Sequence, residues 1–340
     1  MPPRAWSFDR LRSEGSYWRS AILITAAHLD LFGWIGKQDK SPQAFATHFG
    51  GRSGAWEIFL DALCGLGLLR KHAGQYANSA FAARWLSRQN VCSLLPAHDD
   101  WNIWGKLDSA LTLGKRPATQ QPFVSDRSRS QRLLQSLDLD AQAIAPYLIE
   151  SLPLSDSKTL LDVGGGLGSY AVAFCRHYPR LQATLVEHPC ILPLARRAIA
   201  KAGMTKKVRI VGADLERDAL PAGFDTVLVS NVLHAHGVRV NRSLLMKLQR
   251  CLNFGGQLIV RDVFMNQQRT APEWGTLFSV LLFLQTPQGR CYTLDEIRAW
   301  LRRAGFSRIR GPFRSSPLPF DPDSILIAIK TNRNKDTNSD

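Results

Sequence analysis

The chain has 340 residues, 45% of them apolar, and a formal net charge of +15. That length gives room for about two domains, and the composition excludes a disordered or collagen-like chain. The charge raises the question of a nucleic-acid partner, but the excess is mild over residues 1–155 (17 basic against 13 acidic) and scattered through separate helices over 156–340 (26 against 15), which fits a solvated basic surface and no nucleic-acid partner.

Taken in chain order, the first predicted element is a helix over Tyr17–Ile35, with Ile22, Leu23, Ala26, Ala27 and Leu31 at helical spacing. Ser41-Pro42 reads as an N-cap followed by a proline at the first helical position, opening a short helix to Phe49. Gly50-Gly51 ends it, and Ser53 is expected to cap a helix carrying Trp56, Phe59, Leu60 and Leu63. Residues 67–71, a turn at Ala73-Gly74 and residues 75–77 form a two-stranded wing. This is a winged-helix order, which suggests either DNA binding or a dimerisation scaffold. The scaffold is favoured: the candidate recognition helix has only Arg52 beside it and contains Glu57 and Asp61.

From Leu95 to about Leu154 the sequence reads as helical, with Trp101 and Trp104 on one helix face. Burial is the commoner fate of such tryptophans, and lining an aromatic substrate pocket is the sharper alternative. From Lys158 strands alternate with helices, at 159–163, 183–187, 208–211, 224–230 and 257–262, which argues for a mostly parallel α/β sheet. Thr293-x-x-Glu296 is a capping box opening a helix that stops at Gly305. Two strands, 306–310 and 324–329, then follow with no helix between them and are expected to pair antiparallel. The expected division is 1–105 winged-helix-like dimerisation domain, 106–155 helical linker contributing to the substrate pocket, 156–330 cofactor-binding catalytic domain and 331–340 polar tail.

The strongest chemical signal lies at the first of these strands. Leu160-Leu161-Asp162-Val163 runs into Gly164-x-Gly166-x-Gly168 and then an apolar helix. Such a strand–loop–helix unit brings bare backbone N–H groups to a ligand at a helix N-terminus. Gly166-x-Gly168-x-x-Ala171 also fits a nicotinamide fingerprint. Asp162 argues against it, because a fixed carboxylate repels a pyrophosphate and attracts the ammonium and sulfonium of S-adenosylmethionine. Glu187, closing the next strand, suits the ribose hydroxyls. Asp214-Leu215, after the third strand, falls where an adenine would sit. Acids at three successive strand ends suit a cationic nucleoside.

With these pieces in place, the chain resembles the plant caffeate-type and bacterial small-molecule O-methyltransferases, which include acetylserotonin and hydroxyneurosporene methyltransferases. The resemblance covers about residues 17–330. It is carried by Ala26-Ala27-His28-Leu29-Asp30-Leu31-Phe32, Leu161-Asp162-Val163-Gly164-Gly165-Gly166, Gly212-Ala213-Asp214, Val232-Leu233-His234, Asn253-Phe254-Gly255-Gly256 and Arg303-Ala304-Gly305-Phe306. It implies a seven-stranded Rossmann-like sheet, a homodimer built through the winged-helix half, and methyl transfer from S-adenosylmethionine to a hydroxyl of a small, usually aromatic, substrate. His234 falls at the position of the general base, and Asp262 at one of two flanking acids. The second flanking acid is replaced by Cys291, and the family's His-Asp-Trp reads His234-Ala235-His236.

The cofactor-binding set is then Asp162, Gly164, Gly166, Glu187, Asp214 and Leu215. Candidate substrate-pocket residues are Trp101, Trp104, Asn231, Phe278 and Cys291. Open alternatives are a regulator that binds the nucleoside without catalysis, and a family member with N-methylating or non-methylating chemistry. The start, Met1 to Trp6, lacks the apolar stretch of a signal peptide. The longest apolar runs fall far short of the roughly 20 residues of a membrane span. Six cysteines without paired spacing (64, 92, 175, 190, 251, 291) point to reduced thiols and a cytoplasmic protein. No metal-ligand cluster is visible, so no metal is expected.

Overall fold

The structure, a computed structural model, describes residues 17–86, 95–118, 127–318 and 321–331. Cys92 and the polar tail from 332 lie outside the described residues. The chain divides into two compact units between Trp101 and Asn102.

In the first unit the helix expected over Tyr17–Ile35 is two helices, Trp18–His28 and Leu31–Ile35. Asp30 breaks it by adopting a left-handed φ of 50°. Ala26, Ala27, Leu31, Phe32 and Ile35 still face one core with Phe45, Leu60 and Leu63, so periodicity reports the buried face and misses the bend. The Ser41 hydroxyl accepts from the Ala44 N–H at 3.2 Å and caps Pro42–Phe49. Ser53 is the first residue of helix Ser53–Gly65 and does not cap it; Arg52 holds the N-cap position. Strands β1 (Leu69–His72) and β2 (Gln75–Asn78) pair antiparallel as the wing. The buried Asn78 amide donates to the Phe32 and Gly36 carbonyls and ties the wing to the helices. Lys71 of the wing is paired with Glu57 and Asp61 of helix Ser53–Gly65, at 3.0 and 2.9 Å.

The second unit holds a seven-stranded sheet in the order β10-β11-β7-β6-β3-β4-β5. Its strands are β3 (Thr159–Val163), β4 (Gln182–Glu187), β5 (Val208–Gly212), β6 (Phe224–Ser230), β7 (Leu252–Asp262), β10 (Phe306–Arg314) and β11 (Ser324–Lys330). The first five are parallel, and β11 inserts antiparallel between β7 and β10. Both faces are covered, which is why the parallel strands read as continuous apolar runs. Val227, Val229 and Val260 pack on one face with Leu245 and Trp300. Leu228 and Ile259 pack on the other with Leu148, Phe174 and Ile199.

Helix Leu294–Arg303 opens on the expected capping box, with Thr293 and Glu296 each bonded to the other's backbone N–H. A second, two-residue parallel pairing joins β8 (Phe264–Met265) to β9 (Tyr292–Thr293). It fastens the segment after β7 to the one before the last helix, and so sets Cys291 in a small apolar cluster with Val263, Met265, Leu282 and Phe278. Among the described residues no helix is long and apolar enough to cross a membrane, and no group of three ligating side chains could hold a metal.

Candidate active site

The carboxyl ends of β3, β4, β5, β6 and β7 converge on one edge, and β3 is the switch point between β4 on one side and β6 on the other. Ligands of open α/β sheets sit at such a point. Gly164 follows β3 with φ +67°, and a Cβ there would lie 2.7 Å from Val232 Cγ2. Only glycine lets that backbone pass. The Gly166 N–H donates to Glu187 Oε2 at 2.8 Å, and the His188 N–H donates to Oε1 at 2.7 Å. Glu187 therefore shapes the glycine loop as well as closing β4. Burial pushes its carboxyl above the usual value, against the pull of these two N–H groups.

Asp162 is fully buried, and neither of its carboxylate oxygens has a hydrogen-bond partner. Burial pushes its carboxyl up to about 7; the nearby Ala171 N–H favours the charged form without closing a hydrogen bond. A buried, unpartnered carboxylate costs free energy unless a cation or donor meets it. Beyond β5, Asp214 Oδ1 accepts from the Glu216 N–H at 2.9 Å, while the Asp214 N–H donates to Asp218 Oδ2 at 2.8 Å. The turn carrying Asp214 and Leu215 is held further by Lys247, whose ammonium donates to the Leu215 and Glu216 carbonyls. The residues present therefore fit a cationic nucleoside: an orphaned acid at the glycine loop, a second acid at the β4 end and an ordered turn after β5.

After β6 the chain bends at Asn231, left-handed with φ 58°, and enters a 3-10 turn over Leu233–Ala235. His234 Nδ1 lies 2.8 Å from Asp262 Oδ1, and the His234 backbone N–H donates to Oδ2 at 3.3 Å. One carboxylate thus fixes both the ring and the turn that carries it. With the proton on Nδ1, Nε2 keeps its lone pair. Burial works to lower the His234 pKa, but the charge and hydrogen bond of Asp262, with Asp323 adding to them, raise it above the usual value. The buried Asn241 amide donates to the Leu233 carbonyl at 2.8 Å and closes the turn from behind. Gly289 abuts the same turn: a Cβ there would stand 2.5 Å from the His234 carbonyl oxygen.

Of the pocket candidates, Phe278 meets His234 edge to face with centroids 4.9 Å apart. Cys291 is buried, its thiol pushed up to about 12 by burial, and its N–H donates to Ser279 Oγ. It packs among Val263, Met265, Leu282 and Phe278. Trp101 and Trp104 are 45% and 40% exposed in the single chain, so neither meets the first of the two fates weighed for them, burial in the core. Helical spacing placed them on one face but carried no information about what covers it. Trp101 has an edge-to-face contact with Tyr17.

The sequence reading missed a buried charge network at the same sheet edge. Arg261, alternating to the opposite face from Asp262, pairs with Asp321 at 2.7 Å and Asp323 at 2.6 Å. Asp323 Oδ2 also accepts from the Asn231 amide at 2.9 Å. An arginine in an otherwise apolar strand (Leu258-Ile259-Val260-Arg261) was the available signal, since such a residue must find buried acids.

A seven-stranded sheet with this topology and an acid-lined glycine loop defines a class I methyltransferase fold. Comparison with known proteins makes the assignment specific. Residues 120–307 match the O-methyltransferase domain and residues 12–88 the O-methyltransferase dimerisation domain. The chain is 29% identical to the 3-hydroxy-5-methyl-1-naphthoate 3-O-methyltransferase of Streptomyces sahachiroi, over 88% of this chain and 89% of the relative. It is 28% identical to the tetracenomycin polyketide synthesis 8-O-methyl transferase TcmO of Streptomyces glaucescens, over 95% and 96%. The crystal structure of human N-acetylserotonin methyltransferase with S-adenosylmethionine superposes with a TM-score of 0.84 at 20% identity, covering 98% of this chain and all of that one. The chain belongs to the S-adenosylmethionine-dependent O-methyltransferase family.

Proposed function

We propose that this enzyme methylates a hydroxyl of a small aromatic metabolite, with His234 as general base, Asp262 as its orienting acid, and a homodimer as the working form. The observation that carries the reading is the His234–Asp262 pair, 2.8 Å apart at the carboxyl edge of the sheet and flanked by Phe278. When bound, S-adenosylmethionine supplies an electrophilic methyl group on a sulfonium. Asp162 would hold its ammonium, Glu187 its ribose hydroxyls, and the turn at Asp214 and Leu215 its adenine. Gly164 and Gly166 would let the backbone approach.

A phenol with pKa near 10 must lose its proton as the new bond forms, and a neutral imidazole suits that task at neutral pH. Asp262 holds the proton on Nδ1, leaving Nε2 to accept the phenol's, and then stabilises the imidazolium. Phe278 beside the ring, with the apolar cluster of Val263, Met265 and Cys291, suits a flat, largely apolar acceptor. The naphthoate and tetracenomycin relatives support the same acceptor class. Exposed Trp18, Ile58, Phe81 and Trp85 in the first unit, together with the dimerisation-domain match, support the homodimer. The reduced thiols of Cys64, Cys175, Cys251 and Cys291 suit a cytoplasmic setting.

The test is incubation with labelled methyl donor and a panel of phenols, hydroxylated heterocycles and polyketides, using the native enzyme and His234→Ala. Turnover of an accepted phenol should fall by about 10²–10⁴-fold in the variant while cofactor affinity holds. Near-full turnover by His234→Ala would remove the base assignment. Transfer confined to amines would overturn the acceptor class.

A further inference from the structure

We propose that Asp323 is the second acid of the base site, a positioning residue that takes over at the start of β11 the role left open where Cys291 replaces an acid. The proposal rests on the reading of His234 as the base. Its geometry is independent of that reading. In the antiparallel pairing of β11 with β7, Ser324 lies directly opposite Asp262, so Asp323 precedes the very residue paired with the orienting acid. Asp323 Oδ2 accepts from the Asn231 amide. Asn231 is the left-handed hinge at which β6 turns toward His234, and its own N–H donates to the Arg261 carbonyl at 2.9 Å. Asp323 thus grips the root of the turn that presents the imidazole, while Asp262 grips its tip.

The cluster around Asp323 is built and buried. Arg261 Nη1 lies 2.6 Å from Asp323, and the Asp323 N–H donates to Asp321 Oδ1 at 3.2 Å. Arg261 is shared: its other amine pairs with Asp321, and its Nε donates to Ser315 Oγ. The carboxyl of Asp323 is pushed up to about 6 by burial, with Arg261 pulling the other way and Asp262 and Asp321 reinforcing burial. At neutral pH it is therefore mostly ionised, and its charge reaches the imidazole. The charged and titratable groups bearing on His234 are Asp262 from β7, Asp323 from the β11 side, and His236 on its own turn.

Cys291 stands on the far, apolar side among Val263, Met265, Leu282 and Phe278. Asp323 bears on the imidazole from the sheet side, with no carboxylate opposite it at Cys291. There it stabilises the imidazolium that forms as the acceptor's proton is taken, without setting a second carboxylate against an apolar acceptor.

The experiment reads His234 directly, by NMR titration of the ¹³C-labelled histidine Cε1 resonance in the full-length enzyme, alongside the pH profile of kcat/KM. His234→Ala identifies the resonance. In Asp323→Asn the His234 pKa and the acidic limb should both move down by about half to one unit, since an anion that favoured the imidazolium is gone. Asp323→Glu should restore most of the shift, and S-adenosylhomocysteine affinity should change less than twofold. A merely structural role would lower kcat without moving the titration.

Should Asp323→Asn fail to fold, Asp323→Ser removes the same charge and carries the same titration. An unmoved His234 titration in the folded variant overturns the proposal. If the NMR shift appears while His234→Ala stays active, Asp323 tunes His234 and it is the base assignment that fails.

Discussion

Cofactor affinity should rise with pH through neutrality because of Asp162. The free enzyme holds this carboxyl at about 7 through burial, against an ordinary value of 3.8, and a bound ammonium must find it ionised. A pKa of about 7 leaves the group roughly one-tenth ionised at pH 6 and nine-tenths at pH 8. The apparent affinity for S-adenosylhomocysteine, which keeps the ammonium and lacks the sulfonium, should therefore strengthen about tenfold over that range, or about 1.4 kcal/mol. The same sign governs the unliganded fold. A carboxyl raised above its unfolded value binds its proton more tightly when folded, so stability falls as pH rises from about 4 to about 7, then levels off. Isothermal titration calorimetry at pH 6, 7 and 8, in buffers of differing ionisation enthalpy, measures both the affinity and the released proton. Asp162→Asn should bind weakly and without this slope, while retaining Glu187. A flat affinity in the native enzyme, or an unchanged slope in Asp162→Asn, would refute the pairing.

Glu187→Ala should weaken S-adenosylhomocysteine binding by about 1.5–3 kcal/mol, the usual cost of losing hydrogen bonds to a charged group, and calorimetry at pH 8 reads it directly; an unchanged Kd removes Glu187 from the site. Asp262→Asn should lower turnover by less than His234→Ala does and move the acidic limb of the pH profile downward, because the carboxylate that raises the imidazole pKa is gone; stopped assays over pH 6–9 would show it. Light scattering at micromolar concentration should give a dimer, and Trp18→Glu, at a side chain 70% exposed in the single chain, should shift it toward monomer with the fold retained by circular dichroism.

Much of the fold was legible because local signals and burial agreed. Ser41-Pro42, the Thr293–Glu296 capping box and the strands of Val, Ile and Leu all appear where the sequence puts them. The loss of a helix between 306 and 329 correctly foretold the antiparallel β10–β11 pair. What failed was context. Asp30 breaks a helix whose apolar stripe continues unbroken, because periodicity reports which face is buried and not whether the axis is straight. The β8–β9 pair has two residues per strand and no periodicity to detect. The His234–Asp262 contact was anticipated through a motif. The Arg261–Asp321–Asp323 network needed the register between β7 and β11, which no local pattern encodes.

That register also explains how one short strand end can serve two purposes. Successive residues of β7 point to opposite faces, so Asp262 reaches the His234 turn while Arg261 reaches Asp321 and Asp323 behind it. Asn231 couples the two, its backbone bonded to β7 and its side chain to the acid before β11. His234 is therefore held by an arrangement that spans three adjacent strands, with Phe278 packed against its ring.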